Sequence, residues 1–492
     1  MKPDINVFIF RRDLRIEDNM AFNDLLQDLK DLKDLKDPKD QDPSIKILPI
    51  FIFNPKQINA NENIYYSKNA VEFMIQCLKS LNNALKDRLY FFYGKDIDIL
   101  NKLIKKFQIH TIAFNTDYTP YAKKRDQEIR EWCDHKSISV ITANDYNLTV
   151  SRDKIYEIFT PFYKKLLENI KDIPEPEYLD AKQSKNQKKQ INLTNLLYDD
   201  YDNKLLKNLI VKNIDKFYGT SNKQMLIAGG RENALQIIER INRGEFKNYE
   251  KYRDFPALDK TTKLSAYMKY GCLSVRETFY AVRRKYGANH GLLRELVWRE
   301  FYAIIADNFP KILQGQISGI NHTFKEKYDH IQWGFNPEFW ELFTAGKTGF
   351  PLINAGIRQL KATGWMHNRV RMVVASFLTK DLLIDWKVGE QWMATQLVDY
   401  DPASNNGGWQ WASSVGTDAQ PYFRIFNPFL QSARFDPDAQ YIKQWIPELK
   451  DVPAKSIHNW NEDYIKYETY YQPIVNHKTQ SEKAIQLFHL SK

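Results

Sequence analysis

The hydrophobic pattern changes once along the chain, and this change constrains the fold more than any other feature. Before residue 150, short apolar runs rich in β-branched and aromatic residues alternate with patterns typical of amphipathic helices. The runs are Val7–Phe10, Ile45–Phe53, Leu89–Tyr93 and Thr111–Asn115, with helical patterns over Ala70–Lys86 and Ile97–Phe107. This alternation predicts a parallel α/β sheet covered on both faces. After Gly229 only helical patterns follow, which predicts an all-α second half.

The stretch between the two halves is polar and rich in Lys and Asn, so residues 171–223 predict a long interdomain connection. The predicted division is an α/β domain over 1–140, a linker over 141–225, an all-helical domain over 226–475 and a tail over 476–492. Residues 30–42, KDLKDLKDPKDQD, repeat every three residues. Because that period does not match the helix, we expect a mobile surface loop or a frayed helix end there.

Composition narrows the class of protein. The three cysteines (Cys77, Cys133 and Cys272) show no CxxC or metal spacing, which predicts a reducing compartment and no metal site. We find neither an apolar run long enough to span a membrane nor a signal-peptide pattern. We therefore expect a monomer that is cytoplasmic, or nuclear in a eukaryote, and not secreted. The net charge of +10 suits a polyanionic partner.

One stretch, Asp399–Pro428 (DYDPASNNGGWQWASSVGTDAQPYFRIFNP), concentrates amides, carboxylates and large aromatic side chains. Asn405–Gly408 reads as a helix breaker, because glycine favours turns and close approach to ligands. Composition alone favours a buried irregular loop whose polar groups satisfy one another. Ten of the eleven tryptophans lie after residue 290, so the second half has a use for indoles that the first half lacks.

The order of residues in NNGGWQWASSVGTDAQPYFRIFNP closely resembles the flavin-binding region of the photolyase/cryptochrome family. The resemblance implies that the helical half binds FAD. It also implies light-dependent repair of UV-damaged DNA, in which reduced FAD donates an electron to a flipped cyclobutane pyrimidine dimer. An α/β domain that carries an antenna chromophore is a further implication. RRDLR with Asn19 matches the start of that domain, and no GxGxxG follows the first strand.

The antenna itself stays open between a folate, a deazaflavin, a flavin and no chromophore at all. Folate-binding relatives have a glutamate where this chain has Ala122.

The segment NYEKYRDFPALDKTTKLSAYMKYG resembles the family block that holds the FAD phosphates, ribose and adenine. Hydroxyl and backbone N–H groups at a helix start suit a pyrophosphate. The usual family form GTSRLS is KTTKLS here, which keeps the charge but loses an arginine fork. The residues that the resemblance assigns to FAD are Tyr249, Thr261, Thr262, Lys263, Leu264, Ser265, Arg371, Asp399, Tyr400, Asp401 and Asn405. We expect Arg371 to pair with Asp399.

The pattern over Gly291–Phe309 places Glu295, Trp298, Arg299 and Tyr302 on one helical face. The resemblance implies that Glu295 hydrogen-bonds the damaged base, that Trp298 stacks on it, and that Arg369 lies nearest the DNA phosphates. The full set assigned to DNA is Arg253, Glu295, Trp298, Arg299, Asn368, Arg369, Met372, Trp411 and Gln431.

Three tryptophans in separate blocks, Trp333, Trp386 and Trp409, would be core residues by spacing alone. The resemblance instead implies an electron-transfer chain from the surface at Trp333, through Trp386, to Trp409 at the flavin. Together with Glu295 and Asn405 they form the predicted catalytic set, which contains no metal.

Substitutions separate the members of the family. (6-4) photolyases and animal cryptochromes have histidines where this chain has Asn368 and Met372, and plant cryptochromes have Asp and Tyr where it has Asn405 and Trp411. The resemblance thus predicts a class I cyclobutane pyrimidine dimer photolyase. The alternative is a cryptochrome-like blue-light photoreceptor.

Overall fold

Five parallel strands form one sheet in the computed structural model, which describes residues 2–34, 45–149, 154–178, 193–199, 205–315 and 322–491. The strands are β1 Asp4–Phe10, β2 Lys46–Phe53, β3 Tyr90–Tyr93, β4 Gln108–Asn115 and β5 Ser139–Ala143, in the order β3-β2-β1-β4-β5. The predicted parallel α/β sheet is confirmed. β5 was not predicted, because SVITA is a short and partly exposed edge strand. The predicted boundary at residue 140 falls within it.

Helices cover the sheet, whose two central strands are buried along almost their whole length. These helices are α1 Met20–Asp34, α2 Pro55–Ile58, α3 Lys68–Ala84, α4 Asp96–Leu103 and α5 Pro120–Asp134. Side chains fix two of the helix starts: the Ser67 hydroxyl accepts from Ala70 N, and Thr119 caps α5 ahead of Pro120. α1 continues into the predicted insertion, of which residues 35–42 lie outside the described ranges.

The connection between the halves contains one helix, α6 Phe159–Glu168, and two 3₁₀ turns, at Leu193–Asn195 and Asp215–Phe217. Residues 179–192 and 200–204 of the predicted linker lie outside the described ranges.

The second half is helical, and the structure describes no strand after residue 231 within 231–315 and 322–491. The helices are α7 Arg231–Arg243, α8 Tyr249–Tyr252, α9 Ser265–Lys269, α10 Val275–Tyr286, α11 Gly291–Asn308, α12 Pro337–Ala345, α13 Pro351–Thr363, α14 Asn368–Ser376, α15 Trp386–Gln396, α16 Pro402–Ala412, α17 Pro428–Phe435, α18 Gln440–Trp445, α19 Ala454–His458, α20 Trp460–Asp463 and α21 His477–His489. One π-helical turn, Phe377–Asp381, follows α14 directly. The predicted all-α half is confirmed.

The RRDLR loop after β1 joins the two halves. Arg12 forms an ion pair with Asp401 at the start of α16, and its Nε donates to the Lys269 carbonyl at 3.2 Å. Gly271 lies against this loop with φ +64, and a Cβ there would sit 2.2 Å from the Arg12 carbonyl oxygen. Only glycine permits that approach. The loop therefore anchors the helix that begins the Asp399–Pro428 stretch.

A buried cluster of four charges crosses the same interface. Arg276 of α10 binds Asp145 at 2.7 Å and Asp18 at 3.0 Å, and Arg15 binds Asp145 at 2.6 Å. Burial alone would raise the pKa of Asp145. The guanidinium groups of Arg15 and Arg276 outweigh this effect, so the pKa of Asp145 lies below its usual value. Two positive and two negative groups compensate one another in the interior.

Apolar packing also continues across the interface. One cluster of buried residues contains Phe8 and Phe22 of the sheet domain together with Phe279 and Phe301 of α10 and α11. The two halves thus share a core. In the ranges that the structure describes, no helix combines the length and apolar character needed to cross a membrane.

Candidate active site

A cavity of about 530 Å³ opens among α9, α11, α14, α15 and α16. It gathers most of the predicted FAD-binding, DNA-binding and catalytic residues from five separate segments. These are Tyr249, Arg253, Thr261, Thr262, Lys263, Leu264, Ser265, Glu295, Trp298, Arg299, Asn368, Arg371, Met372, Asp399, Asp401, Asn405, Trp409 and Trp411. Tyr400, Arg369, Gln431, Trp333 and Trp386 do not line it. We refer to it as the first cavity.

The segment Thr261–Ser265 forms one polar wall of the first cavity. Thr261 Oγ1 is buried without a hydrogen-bond partner in the described residues, and such orphaned atoms are rare unless a ligand binds them. Lys263 has φ +54 and pairs with Asp259. This wall suits a polar, anionic group such as the pyrophosphate of FAD.

The predicted pair of Arg371 and Asp399 is present, with Nη2 3.0 Å from Oδ2. Ser265 Oγ donates to the same carboxylate oxygen at 2.6 Å. The cluster ties α9, α14 and the start of the Asp399–Pro428 stretch together. It places one guanidinium and one buried carboxylate on the cavity wall.

The prediction that Asn405–Gly408 breaks a helix is wrong, because α16 runs through all four residues. Asp401 caps the helix by accepting from Ser404 N at 3.1 Å, and Pro402 follows at its first position. Gly407 serves close packing instead of a turn. A Cβ at Gly407 would lie 2.3 Å from the Tyr302 ring, whereas a Cβ at Gly408 would meet nothing within 4 Å.

Gly408 offers a direct test of this cavity as the FAD site. We expect Gly408→Ala to stabilise the apoprotein by about 0.5–1 kcal/mol, because alanine favours a helix over glycine. The same methyl group projects into the cavity, so FAD affinity should fall. Chemical denaturation of the apoprotein and fluorescence titration with FAD measure the two effects.

Gly407→Ala is the matched control: its methyl group collides with Tyr302, so it should destabilise the apoprotein. Unchanged FAD affinity in Gly408→Ala would contradict the assignment of the cavity.

On α11, Glu295, Trp298, Arg299 and Tyr302 all line the first cavity, as their spacing predicted. Glu295 pairs with Arg253, yet burial outweighs this pairing and raises the pKa of the carboxyl group. The Trp298 ring stacks on Phe159 at 3.6 Å between centroids, so α6 supports one of its faces. The Arg299 guanidinium lies 3.5 Å from the Tyr146 ring centroid and donates to the Tyr146 carbonyl at 2.9 Å.

Two residues assigned to DNA lie outside the cavity. Arg369 pairs with Asp254 at 2.9 Å, and its guanidinium lies 4.3 Å from the Phe435 ring centroid. Gln431 is half-buried on α17. Since Arg253 is also paired, the arginines expected at the phosphates are held by carboxylates in this structure.

The three tryptophans of the predicted chain differ in burial. Trp409 is 2% exposed on the cavity wall, and Trp386 is fully buried. α15 approaches Trp409 at Gly389, where a Cβ would lie 2.4 Å from the indole. Trp333 is half-buried, and the neighbouring Gly334 N donates to the Leu383 carbonyl at 2.9 Å.

Two residues assigned to FAD have other surroundings than predicted. Tyr400 stacks on Tyr65, 5.6 Å between centroids, and lines a different cavity. Asp401 lines the first cavity, but Arg12, Tyr118 and Tyr146 occupy its carboxylate oxygens. Although burial would raise its pKa, Arg12 and nearby cations hold the pKa of Asp401 well below its usual range.

A second cavity, of about 630 Å³, lies at the carboxyl-terminal ends of β1 and β2. Ala122 lines it, as does Arg12. Lys269 lines both cavities, and burial together with the charge of Arg12 lowers its pKa to about 7. The carboxyl ends of parallel strands are where ligands bind in open α/β sheets.

Sequence reasoning missed three groups at this site: Phe159 behind Trp298, Lys269 between the cavities, and Glu390, which binds Asn405. Only Lys269 belongs to a motif quoted above. It lies near the end of the segment that resembles the FAD-binding block, and nothing in the pattern distinguishes it from the residues around it.

Comparison with protein-family models matches both halves. Residues 6–179 match the DNA photolyase model, and residues 292–490 match the FAD binding domain of DNA photolyase. A deoxyribodipyrimidine photo-lyase of Alkalihalophilus pseudofirmus is 34% identical over 97% of this chain and 96% of its own length. The Escherichia coli protein of the same name is 33% identical over 95% of each chain.

Solved structures of photolyases and of a cryptochrome are also similar to this chain. A Sulfolobus tokodaii photolyase containing two FAD molecules is 33% identical with a TM-score of 0.81, and the match covers 99% of this chain and 100% of that one. A class III photolyase of Agrobacterium tumefaciens is 29% identical with a TM-score of 0.80, covering 100% and 98%. A Synechocystis cryptochrome, 23% identical over 99% of each chain with a TM-score of 0.80, shares the fold.

Proposed function

This chain belongs to the photolyase/cryptochrome family, and within that family we propose that it is a class I photolyase of cyclobutane pyrimidine dimers. Its FAD-binding domain and its full-length similarity to deoxyribodipyrimidine photo-lyases support light-dependent DNA repair. The observation that carries the proposal is the first cavity. It combines the polar wall Thr261–Ser265 with an aromatic and acidic face, Trp298 and Glu295, in a single space.

The polar wall of the first cavity fits FAD. Thr261 has an unused hydroxyl oxygen, Gly408 leaves space beside α16, and Arg371 brings a positive charge to the wall. When bound, reduced FAD supplies the electron that splits the dimer after light absorption. The described residues hold the cofactor and shield it from water.

The part of the cavity lined by Trp298 and Glu295 suits a flipped lesion. Trp298 can stack on a pyrimidine with the face that Phe159 leaves free, and base stacking contributes about 1–3 kcal/mol. Glu295 lies within the cavity, and its carboxylate oxygens can accept a hydrogen bond from a pyrimidine N–H. Asn368 and Met372, which replace the two histidines of (6-4) photolyases, also line the first cavity.

The partner we propose is UV-damaged DNA, bound by a monomer. The net charge of +10 favours a polyanion. Flipping a damaged base costs a few kcal/mol, and least for a distorted duplex. Arg253, Arg369 and Gln431 would contact the backbone around the cavity mouth, after the two arginines release or share their carboxylate partners.

We propose that the second cavity holds the antenna chromophore. Ala122 at its edge lacks the carboxylate of folate-binding relatives, and the similar Sulfolobus tokodaii photolyase contains two FAD molecules. The first observation argues against a folate, and the second favours a flavin. The division into an α/β domain, a linker, a helical FAD-binding domain and a tail is part of the same proposal.

Repair in light and in darkness tests the function. An oligonucleotide with one thymine dimer, mixed with dithionite-reduced protein, should lose the dimer under blue light and keep it in the dark. A photoreceptor that acts through partner binding would leave the dimer intact in both conditions.

Two substitutions separate lesion recognition from phosphate contact. We expect Trp298→Ala to weaken binding of dimer-containing DNA relative to undamaged DNA, because a stacking surface is lost. Arg369→Ala should weaken both DNAs alike and reduce the dependence of log K on log salt by about one. Filter binding or anisotropy at several salt concentrations gives both quantities.

Arg88→Ala is the matched control for Arg369. Arg88 is also paired with a carboxylate, that of Asp199 at 2.6 Å, but it precedes β3 at the amino-terminal edge of the sheet. The DNA affinity of Arg88→Ala should depend on salt concentration as strongly as that of the wild type. The role given to Arg369 is wrong if its variant keeps the wild-type slope as well.

A further inference from the structure

Only Lys269, of the residues that the structure describes, lines both the first cavity and the second. It ends α9, and its carbonyl accepts from Arg12 Nε at 3.2 Å. Arg12 lines the second cavity, and its partner Asp401 lines the first. A charge on Lys269 can therefore act on a ligand in either cavity.

The amine of Lys269 lacks a compensating partner. Within the described residues its Nζ makes no hydrogen bond or ion pair, and it lies 5.5 Å from the Tyr270 ring centroid. The charged groups that face it are Arg12, Asp117 and Asp401. Arg12 already binds both carboxylates, that of Asp117 at 3.1 Å. Burial and then the charge of Arg12 lower the pKa of Lys269 to about 7, so the empty protein holds this amine charged and uncharged in similar amounts at neutral pH.

The polar wall of the first cavity lies one helical turn from Lys269. Ser265 begins α9 and Lys269 ends it, so the two residues share a helical face and lie about 6 Å apart along the axis. A pyrophosphate bound at Thr261–Ser265 would bring negative charge close to the amine. An opposite charge at this range favours the protonated form of a lysine.

The second cavity has an excess of positive charge. Six basic and three acidic side chains line it, and Lys269 is one of the basic ones. This excess favours an anionic ligand, and the phosphate of a flavin nucleotide has that chemistry. Lys269 is then the cation that the ligands of both cavities share.

We propose that Lys269 couples the two cavities: an anionic ligand in either one protonates its amine, and the charged amine then attracts an anionic ligand into the other. The first ligand loses affinity because only the protonated fraction of the protein binds it well, whereas the second ligand meets an amine that is already charged. The inference rests on the proposed function, because it takes FAD as the occupant of the first cavity and a flavin phosphate as that of the second.

The size of the coupling depends on pH. At pH 8 about one tenth of the empty protein carries the charged amine, so the coupling should approach about tenfold. At pH 6 the amine is charged before any ligand binds, and the coupling should vanish.

Protons taken up with the ligand measure this effect. Calorimetric titration of the apoprotein with one equivalent of FAD, in two buffers of different ionisation enthalpy, counts them. For the wild type at pH 8 we expect uptake of close to one proton, and at pH 6 almost none. FMN added at pH 8 to the resulting holoprotein should bind without further uptake.

Two substitutions at the same position separate the amine from other groups that titrate in the cavity. Lys269→Met removes the charge, and Lys269→Arg keeps it at both pH values. Neither variant should take up the proton at pH 8, and Lys269→Arg should bind FAD there about tenfold more tightly than the wild type does. Lys124→Met is the matched control, because Lys124 lines only the second cavity. It should take up the proton with FAD as the wild type does.

FAD binding to the wild type without proton uptake at pH 8, or equal uptake in Lys269→Met, would overturn the inference. So would a holoprotein that takes up a second proton with FMN or does not bind FMN. Lys269→Arg gives the same comparison if the methionine variant does not fold. If the wild type repairs dimers but takes up no proton, only this inference falls. If it takes up the proton but repairs no dimers, the proposed function falls instead.

Discussion

Replacing Trp409 with Phe is expected to stop nearly all photoreduction of the bound flavin by an external donor, while chemically reduced protein still repairs dimers at close to the wild-type rate. Trp409 is the indole of the proposed chain that lies on the cavity wall. Phenylalanine keeps most of its buried volume against Gly389 but is much harder to oxidise. Repair itself needs only the electron of a flavin that is already reduced, so the two activities should separate.

The measurement pairs flavin absorbance under blue light with dimer loss after dithionite reduction. Trp386→Phe and Trp333→Phe should show the same separation. Trp365→Phe is the matched control, because Trp365 also lines the first cavity but lies outside the proposed chain. It should photoreduce like the wild type. Normal photoreduction in Trp409→Phe would mean that this chain does not operate.

Arg276→Met is expected to lower the free energy of unfolding by about 3–5 kcal/mol, the usual cost of leaving a buried charge without its partner. Arg276 is 1% exposed and neutralises Asp18 and Asp145 between the two halves. Without it, two buried carboxylates share the single cation of Arg15. Denaturant titration at neutral pH measures the loss.

Acidity should reverse part of this loss. Because the folded-state pKa of Asp145 is lowered, its contribution to wild-type stability is present above the unfolded-state pKa of about 4 and disappears as the pH falls through the folded-state pKa. The difference between Arg276→Met and the wild type should therefore shrink below about pH 4. Arg284→Met, on the same helix with an exposed partner in Glu175, should cost less than about 1 kcal/mol. Equal losses in both variants would show that burial of the cluster is unimportant.

The sheet was predictable because short continuous apolar runs, rich in β-branched and aromatic residues, mark strands that are buried on both faces. β5 was not predicted, because SVITA is short and partly exposed. α16 was not predicted for a different reason: glycines at 407 and 408 look like a break, and only the position of the Tyr302 ring shows why a glycine is needed at 407.

Site residues could be predicted from the sequence only where they belong to a local motif. Thr261–Ser265 and the stripe on α11 meet in one cavity because a local pattern fixed each segment. The partners of Trp298, Arg299 and Asn405 could not be predicted from the sequence. They are Phe159, Tyr146 and Glu390, which contact them through tertiary packing between separate segments. Tyr400 shows the opposite error: it follows Asp399 directly, yet its side chain faces the second cavity.

We expect this chain to repair cyclobutane dimers and not (6-4) adducts, because Asn368 and Met372 stand where histidines would transfer the proton. The most direct test gives dithionite-reduced protein two oligonucleotides, one with a thymine dimer and one with a (6-4) adduct. Each lesion is then quantified after blue light and after darkness. We expect light-dependent loss of the thymine dimer alone. Persistence of that dimer in the light, or efficient loss of the (6-4) adduct, would contradict it.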